Sequence, residues 1–355
     1  MWAYSSSGRA STLRSLLSPL LRFRGISTRT MATYTTNTSS YRMNHTMLRV
    51  KDPSKSVKFY EDNFGMSLIR KLDFEEAKFS LYFLAFDTPQ AVSHGKEWTD
   101  REGLLELTHN YGTENDPEYK VNNGNAEPHR GFGHIAFSVD NIEHACARLE
   151  SNGVSFQKKL ADGRQKNIAF ALDPDGYWVE LIAQEGSRAD ATTTDLQSYR
   201  FNHTMIRVKD PEKSLQFYRS VLGMSLLRTM ERPEAKFNLY FLGYRQPGYL
   251  EGHHTGEGNP LASMEGLVEL TWNYGTENDA NFKYHNGNDQ PQGFGHLCIS
   301  VDDLDASCAR FEDLNVNWKK RLTDGRMKSV AFILDPDNYW IEVIQNEKLK
   351  SRANW

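Results

Sequence analysis

The chain contains a long internal repeat, which constrains its fold more than any other feature of the sequence. The segment NHTMLRVKDPSKSVKFYEDNFGMSLIRKLDFEEAKFSLYFLAF, from Asn44 to Phe86, recurs as NHTMIRVKDPEKSLQFYRSVLGMSLLRTMERPEAKFNLYFLGY, from Asn202 to Tyr244. The motifs LLELTHNYGTEND, GFGHIAFSVD and LDPDGYWVELI also return in the same order with few changes. A repeat of this length indicates duplicated structural units. We therefore predict two related domains, at residues 41–184 and 199–345.

Each half divides again into two modules. HTMLRVKDPSKSVKFYEDNFGMSL and HIAFSVDNIEHACARLESNGVSF both show a strand, a polar turn, an amphipathic helix and a second strand. Each module closes with a glutamate-bearing strand, such as LLELTHN or YWVELIA. The chain thus has four modules, each with one strand-opening histidine and one late-strand glutamate. The polar stretch 185–198 lacks periodicity and predicts a linker, and residues 346–355 form a C-terminal tail.

The strand pattern places polar side chains on a shared face. Successive side chains of a strand point to opposite faces of a sheet. His45 and Arg49 therefore share one face of their strand, and Glu106 and Asn110 share one face of theirs. The second half repeats the arrangement with His203, Arg207, Glu269 and Asn273. A sheet curved around this polar face would gather the histidines and glutamates at one point.

Eight side chains are candidate metal ligands. They are the histidine and glutamate of each module: His45, Glu106, His134, Glu180, His203, Glu269, His296 and Glu342. Imidazole and carboxylate without thiolate suit a divalent ion of the first transition row and leave positions open for water or substrate. A single histidine on a strand is more often a hydrogen-bonded core or surface residue. Recurrence at equivalent places of four modules favours the metal site.

Charge and hydropathy exclude some functions and predict a targeting segment. The net charge of −4 gives no reason to expect nucleic acid as a partner. No apolar stretch is long enough to predict a membrane span. Residues 1–30 are rich in serine and contain five arginines and no acidic residue, the composition of a mitochondrial transit peptide. We expect residues 1–40 to be a transit peptide or a disordered tail. Met31 offers a second start, so the location is mitochondrial, cytoplasmic or both.

The motifs HTMLRVKDP, KFSLYFLAF, LELTHNYGTE, RGFGHIAFSVD and DGRQKNIAFALDPDGYWVELI resemble the glyoxalase I family of the vicinal oxygen chelate superfamily. The resemblance covers nearly all of residues 41–345, and the tandem arrangement is similar to the long monomeric fungal members. It implies an α+β fold in which four βαβββ modules pair into two curved-sheet barrels. It also implies lactoylglutathione lyase activity on the methylglyoxal–glutathione hemithioacetal, by metal-assisted proton transfer through an enediolate, in a monomer.

The resemblance also assigns roles to individual residues. It implies one site with His45, Glu106, His296 and Glu342 as ligands, and another with His203, Glu269, His134 and Glu180. The last glutamate of each site, Glu342 or Glu180, would be the catalytic base. The expected cofactor is Zn²⁺, two per chain, although the ligand set also admits Ni²⁺, Co²⁺ or Mg²⁺.

The implied glutathione-binding residues carry cationic or amide groups, which suit the two carboxylates of glutathione. They are Arg49, Asn110, Arg207, Asn273, Arg130, Lys158 and Lys320. Gln292 departs from the family pattern, which has arginine at this position. We therefore predict weaker glutathione binding at the Glu342 site.

Two other functions stay open on the residues alone. A related metal-dependent dioxygenase would need two histidines and one carboxylate, and a second glutamate per site argues against it. A non-catalytic module that sequesters a ligand would generally lack the metal ligands. A hybrid with one active and one degenerate site is a further alternative.

Overall fold

The computed structural model describes residues 35–163, 165–184, 192–244 and 259–351. Residues 1–34 of the expected targeting segment, residues 185–191 of the expected linker and the last residues of the tail, 352–355, lie outside this part. Near the start of the described part, the Thr36 hydroxyl donates to Asp302 Oδ1 at 2.6 Å. Among the described helices, none has the length and apolarity needed to cross a lipid bilayer.

The described residues fold as four βαβββ modules. Module 1 comprises β1 (Arg42–Val50), α1 (Pro53–Phe64), β2 (Ser67–Phe74), β3 (Phe79–Ala85) and β4 (Leu104–Asn110). Module 2 comprises β5 (Phe132–Val139), α2 (Ile142–Ser151), β6 (Phe156–Lys158), β7 (Ile168–Leu172) and β8 (Trp178–Ala183). Module 3 comprises β9 (Arg200–Val208), α3 (Pro211–Gln216) with a following π-helical turn (Phe217–Val221), β10 (Ser225–Arg232), β11 (Phe237–Gly243) and β12 (Leu267–Asn273). Module 4 comprises β13 (Phe294–Val301), α4 (Leu304–Asp313), β14 (Asn317–Lys320), β15 (Val330–Leu334) and β16 (Trp340–Gln345).

Local sequence signals explain where the first helix begins and ends. The Asp52 side chain accepts hydrogen bonds from the backbone N–H groups of the next turn, and Pro53 occupies the first helical position. An aspartate cap followed by proline is a strong helix start, because the cap satisfies N–H groups that have no partner within the helix. Gly65 ends the helix at φ +72°, a conformation that favours glycine. Asp210 and Pro211 repeat the same start in module 3.

The two sheets each combine one module from each half of the sequence. Both have eight strands, in the orders β14-β15-β16-β13-β1-β4-β3-β2 and β10-β11-β12-β9-β5-β8-β7-β6. Antiparallel pairing of β1 with β13 joins modules 1 and 4, and pairing of β5 with β9 joins modules 2 and 3. The predicted α+β fold of four paired modules is confirmed. The centre of each sheet lies where a module from the first half of the sequence meets a module from the second half.

The helices pack on the outer faces of the sheets and interlock the modules. The Phe64 ring of α1 contacts the Phe137 ring of β5 at a centroid distance of 4.9 Å. The Phe132 and Phe294 rings, at equivalent positions of the two sheets, stack at 5.1 Å. These residues belong to one hydrophobic core that draws on all four modules. The apolar residues on the outer faces therefore hold the two sheets together. The polar faces of the strands line the interior of each sheet.

Irregular pairing bends each sheet where the histidines lie. The register between β1 and β13 shifts on both sides of the segment 45–47, and the register between β5 and β9 shifts next to His134. Such bulges increase local twist and redirect neighbouring side chains. The bends therefore turn the polar side chains at the centre of each sheet toward a common point.

Candidate functional site

Two clusters of buried histidine and glutamate side chains form at the sheet centres. Site 1 comprises His45, Glu106, His296 and Glu342, and site 2 comprises His134, Glu180, His203 and Glu269. The strand register explains the first grouping. Cys298 lies opposite both His45 and Glu342 in the sheet. Met47 lies opposite both Glu106 and His296. The structure thus brings all eight predicted side chains together, in the cross-half sets that the resemblance implied.

Most ligand atoms of site 1 are within hydrogen-bonding distance of one another, and the longest printed contact is 3.8 Å, from His296 Nε2 to Glu106 Oε2. His45 Nε2 lies 3.0 Å from Glu106 Oε2 and 3.0 Å from Glu342 Oε2. It also lies 3.1 Å from His296 Nε2, which is 3.2 Å from Glu342 Oε2. Both imidazoles therefore aim the same nitrogen at a single point between the carboxylates.

Site 2 repeats this geometry with small differences. The Nε2 atoms of His134 and His203 are 3.2 Å apart. Glu180 Oε2 lies 3.2 Å from His203 Nε2 and 3.4 Å from His134 Nε2, and Glu269 Oε2 lies 3.1 Å from His203 Nε2. All four side chains are buried, as they are in site 1.

The residues of both sites fit a divalent ion. Ligand atoms about 2.0–2.2 Å from a shared metal are about 3.0 Å apart at right angles and about 3.4 Å apart in a tetrahedron. The four ligand atoms of each site lie within 4.8 Å of one another, and the shortest separations match these values. Two histidines and two carboxylates without thiolate form the donor set of a catalytic transition-metal site rather than a structural cysteine site.

An asparagine orients the first histidine of each site. His45 Nδ1 lies 2.7 Å from Asn44 Oδ1, and His203 Nδ1 lies 2.8 Å from Asn202 Oδ1. The Asn44 amide nitrogen in turn donates to the carbonyls of Trp98 and Arg101, which fixes the amide with its oxygen toward the ring. Nδ1 therefore donates to the asparagine oxygen, and Nε2 is the nitrogen directed at the site, as is usual for metal-binding histidines.

We expect Asn44→Ala to weaken metal binding at site 1 about 10- to 100-fold, because the ring loses its orienting partner. Competition with a chromogenic zinc chelator measures the affinity of each bound ion. We expect one ion per chain to bind tightly and the other to bind more weakly. Asn202→Ala is the matched variant and should weaken site 2 instead. Two equally tight ions in Asn44→Ala would show that the asparagine does not position the ligand.

The two glutamates of each site are held differently. Thr108 donates to Glu106 Oε1 at 2.9 Å, so one oxygen of this carboxylate is anchored and the other faces the site. Thr271 holds Glu269 in the same way at 3.1 Å. The residue two places after Glu180 or Glu342 is isoleucine, which has no donor group. The carboxylates of Glu180 and Glu342 therefore lack the threonine anchor, and the Cys298 thiol is a hydrogen-bond partner of Glu342 instead.

Charges within the sites compensate one another. Burial lowers the pKa of His45, but hydrogen bonds to Glu106 and Glu342 outweigh this effect and raise it to about 9. Burial raises the pKa of Glu180, but the charge of His134 and hydrogen bonds from both histidines lower it to about 2. The same causes lower the pKa of Glu342 below its ordinary value. The carboxylates of Glu180 and Glu342 are therefore ionised at neutral pH, the state that binds a cation.

A cavity of about 850 Å³ opens onto site 2. Its polar lining includes four arginines: Arg130, Arg207, Arg228 and Arg232. Its apolar lining comes from both modules of the sheet and includes Phe170, Leu239 and Phe241. The cavity therefore joins a cationic region, suited to carboxylates, to an apolar region beside the candidate metal ligands.

Arg49 and Arg207, predicted to bind substrate, also brace the fold. The Arg207 guanidinium donates to the carbonyls of Gly124, Gly131 and Phe132 and to Asn125 Oδ1. Arg49 makes the equivalent contacts to the loop at residues 287–294. Arg49 thus ties β1 to the loop before module 4, and Arg207 ties β9 to the loop before module 2. The Nε atom of Arg207 is buried without a hydrogen-bond partner in the described structure.

The other predicted substrate-binding residues occupy different environments. Arg130 and Asn273 line the site 2 cavity, where Asn273 also donates to the Tyr284 hydroxyl. Asn110 ends β4, and its side chain hydrogen-bonds to Tyr119. The ammonium groups of Lys158 and Lys320 donate to backbone carbonyls at residues 165 and 168 or 327 and 330. Lys158 therefore ties the end of β6 to the start of β7, and Lys320 ties the end of β14 to the start of β15.

Sequence reasoning missed the two orienting asparagines, although the dipeptide Asn-His opens both copies of the repeat and is a usable signal. It also missed Arg228 and Arg232, which lie on β10 and line the site 2 cavity. Arg232 corresponds to Phe74 in the first half, so the repeat itself gave no signal for it.

Comparisons with known proteins agree with this geometry. A family model described as the glyoxalase/bleomycin resistance protein/dioxygenase superfamily matches residues 42–181 and 200–343. A lactoylglutathione lyase of Schizosaccharomyces pombe is 55% identical over 88% of this chain and 99% of its own length. Glyoxalase I of Saccharomyces cerevisiae is 54% identical over 85% of this chain and 91% of its own. The crystal structure of glyoxalase I from Zea mays is 28% identical, covers 89% of this chain and 98% of that one, and superimposes with a TM-score of 0.63.

Proposed function

Since the chain belongs to the glyoxalase I family of the glyoxalase/bleomycin resistance protein/dioxygenase superfamily, we propose that it is a lactoylglutathione lyase with two active sites. Each site isomerises the hemithioacetal of methylglyoxal and glutathione to S-D-lactoylglutathione, which removes methylglyoxal. The observation that carries this proposal is the pair of buried clusters, each with two imidazoles and two carboxylates at the spacing of metal ligands.

The chemistry moves one proton between adjacent carbons. The C1–H bond of the hemithioacetal breaks, a C2–H bond forms, and the hydroxyl proton passes from the C1 oxygen to the C2 oxygen, so no oxidant or reductant is needed. A divalent ion, which we propose to be Zn²⁺, supplies Lewis-acid stabilisation of the negative charge that develops on the two oxygens. His45, Glu106, His296 and Glu342 would hold it in site 1, and His203, Glu269, His134 and Glu180 in site 2.

Glu342 and Glu180 are the proposed proton carriers. Each takes the proton from C1 and returns it to C2, as a general base and then a general acid. The anchoring of Glu106 and Glu269 by threonine supports this division of labour, since a carboxylate held by a hydroxyl is less able to rotate.

Glutathione binds through its carboxylates in this proposal. Arg130 and Arg207 line the cavity at site 2, and a planar guanidinium binds a carboxylate through two parallel hydrogen bonds. Gln292 replaces the first of these arginines at site 1, where its amide donates to the Asn288 carbonyl. The proposed affinity for glutathione is therefore lower at site 1.

The chain acts as a monomer in this proposal, because each cluster draws its four side chains from both halves of one chain. We further propose mitochondrial targeting by residues 1–30, with a cytoplasmic form starting at Met31, on the composition of that segment.

The test is an absorbance assay of thioester formation under anaerobic conditions. The purified, zinc-loaded protein is expected to convert the methylglyoxal–glutathione adduct without consuming oxygen, and omitting glutathione should stop the reaction. Binding of the adduct without thioester formation would indicate a sequestering protein instead. Turnover that requires oxygen would indicate a dioxygenase.

A further inference from the structure

Apolar side chains from two modules belong to one cluster beside site 1. Module 1 supplies one wall through Leu72, Leu81 and Phe83, and module 4 supplies the other through Val330, Phe332 and Ile344. These side chains and Trp98 belong to one packed hydrophobic cluster. Phe83, Val330 and Ile344 are buried, whereas Ile168 and Ile182, the site 2 counterparts of the last two, are partly exposed.

The equivalent walls beside site 2 are separated. Leu227, Phe241, Leu261 and Leu267 form a cluster that contains only residues of module 3. The opposite wall, formed by Ile168, Phe170 and Ile182 of module 2, lies across the cavity of about 850 Å³. The two sites therefore have the same types of candidate metal ligand but differ in the space beside them.

One position in these walls differs strongly in side-chain size. Trp98 and Leu261 occupy equivalent short 3₁₀ turns, and the orienting asparagine of each site donates to their carbonyls, Asn44 to Trp98 at 2.8 Å and Asn202 to Leu261 at 2.6 Å. These hydrogen bonds hold the two backbones at equivalent places. The side chain of Trp98 ends in an indole, whereas that of Leu261 is an isobutyl group.

The indole lies close to the ligands of site 1. The Trp98 ring packs on the Phe83 ring at 4.6 Å, and the Phe83 ring contacts the His45 ring edge-on at 5.4 Å. In site 2 the Phe241 ring contacts the His203 ring at 5.5 Å, and Leu261 completes the wall. Cys298 adds bulk at site 1 where site 2 has Ala136.

We propose that the two sites divide their substrates by the size of the group on the 2-oxoaldehyde, with Trp98 and Leu261 as the residues that set the limit. This inference rests on the proposed function. The substituent is bonded to a reacting carbon, so it lies beside the candidate metal ligands and against the apolar wall. Site 1 then takes a methyl-sized group, and site 2 also takes an aryl or long alkyl group.

The experiment isolates each site in the full chain. Glu180→Gln leaves site 1 working, and Glu342→Gln leaves site 2 working. The measurement is kcat/KM for the glutathione adducts of methylglyoxal and phenylglyoxal. We expect the phenyl-to-methyl ratio to be at least about 10-fold higher in Glu342→Gln, within the range by which apolar pockets discriminate between substrates.

Exchange of the wall residues assigns the effect. Trp98→Leu in the Glu180→Gln background should raise the phenyl-to-methyl ratio about 10-fold, and Leu261→Trp in the Glu342→Gln background should lower it by a similar factor. The matched controls are the same exchanges in the opposite backgrounds, where the altered site is inactive and the ratio should not change. Trp98→Phe serves as a milder variant if Trp98→Leu fails to fold.

Equal ratios in the two backgrounds, or exchanges that leave the ratio unchanged, would overturn the size limit. A binding measurement separates this failure from failure of the proposed function. S-Methylglutathione and S-benzylglutathione, which cannot react, should both bind, and Leu261→Trp should selectively weaken the benzyl derivative. If no adduct is turned over but this selectivity is observed, the lyase assignment is wrong and the size limit stands.

Discussion

The Glu180→Gln/Glu342→Gln double variant is expected to lose about 10²- to 10⁴-fold of the turnover rate, the usual contribution of a positioned general base. Each single variant should keep the turnover of the intact site, so that the two residual activities add up to about the activity of the unmodified chain. The reason is that the two sites share no ligand and lie in different sheets. The measurement is thioester formation at saturating adduct, with metal content determined on the same samples.

The control for this series is Glu61→Gln, which changes an exposed carboxylate on α1 and should leave the rate unchanged. If either single substitution abolishes all turnover, the two sites are not independent. If the double variant retains full activity and both ions, the base is a different group.

Removal of metal is expected to abolish turnover and to lower the thermal unfolding temperature. Each site then loses the ion that its four buried side chains would bind together, and stabilisation of the folded state by ligand binding is lost. That stabilisation is about 2.7 kcal/mol when the free ion is at 100 times its dissociation constant. Calorimetric titration of the chelated protein with Zn²⁺ should show about two ions per chain, and both activity and unfolding temperature should recover.

Histidine variants provide the control for the metal experiment. His45→Ala should lower the metal content to about one ion per chain, and the His45→Ala/His203→Ala double variant should lower it to about zero. The first change removes a ligand of site 1 and the second a ligand of site 2. Full turnover by a chelated protein with no detectable metal would contradict the role proposed for both clusters.

The repeat made the module architecture predictable, because each copy carries its own local signals. Alternating polar and apolar residues in HTMLRV mark a strand with one buried face. The sequence DP that follows caps the helix, as Asp52 and Pro53 do in the structure. Such features depend on neighbours in the sequence, so they can be read without knowledge of the fold.

The pairing of modules and the shape of each site depend on contacts between distant residues. Nothing local in the β1 sequence specifies β13 as its neighbour, and the cross-half grouping of ligands was implied only by the family resemblance. The bulges beside His45 and His134 follow from that pairing. Arg49 shows what strand alternation cannot predict. It lies on the polar face as expected, but most of its hydrogen bonds are donated to backbone carbonyls.

The differences between the two sites were the least accessible to sequence reasoning. Trp98 and Leu261 lie after loops of unequal length, where the repeat is weakest. Their importance appears only when the walls of each site are compared, because the packing of Trp98 on Phe83 joins residues far apart in the sequence.

An anomalous difference map from crystals of the zinc-loaded protein, recorded at the zinc absorption edge, tests the central claim most directly. We predict two peaks per chain, one among His45, Glu106, His296 and Glu342 and the other among His134, Glu180, His203 and Glu269. Ions at other positions, or no ordered ion at either cluster, would contradict the account.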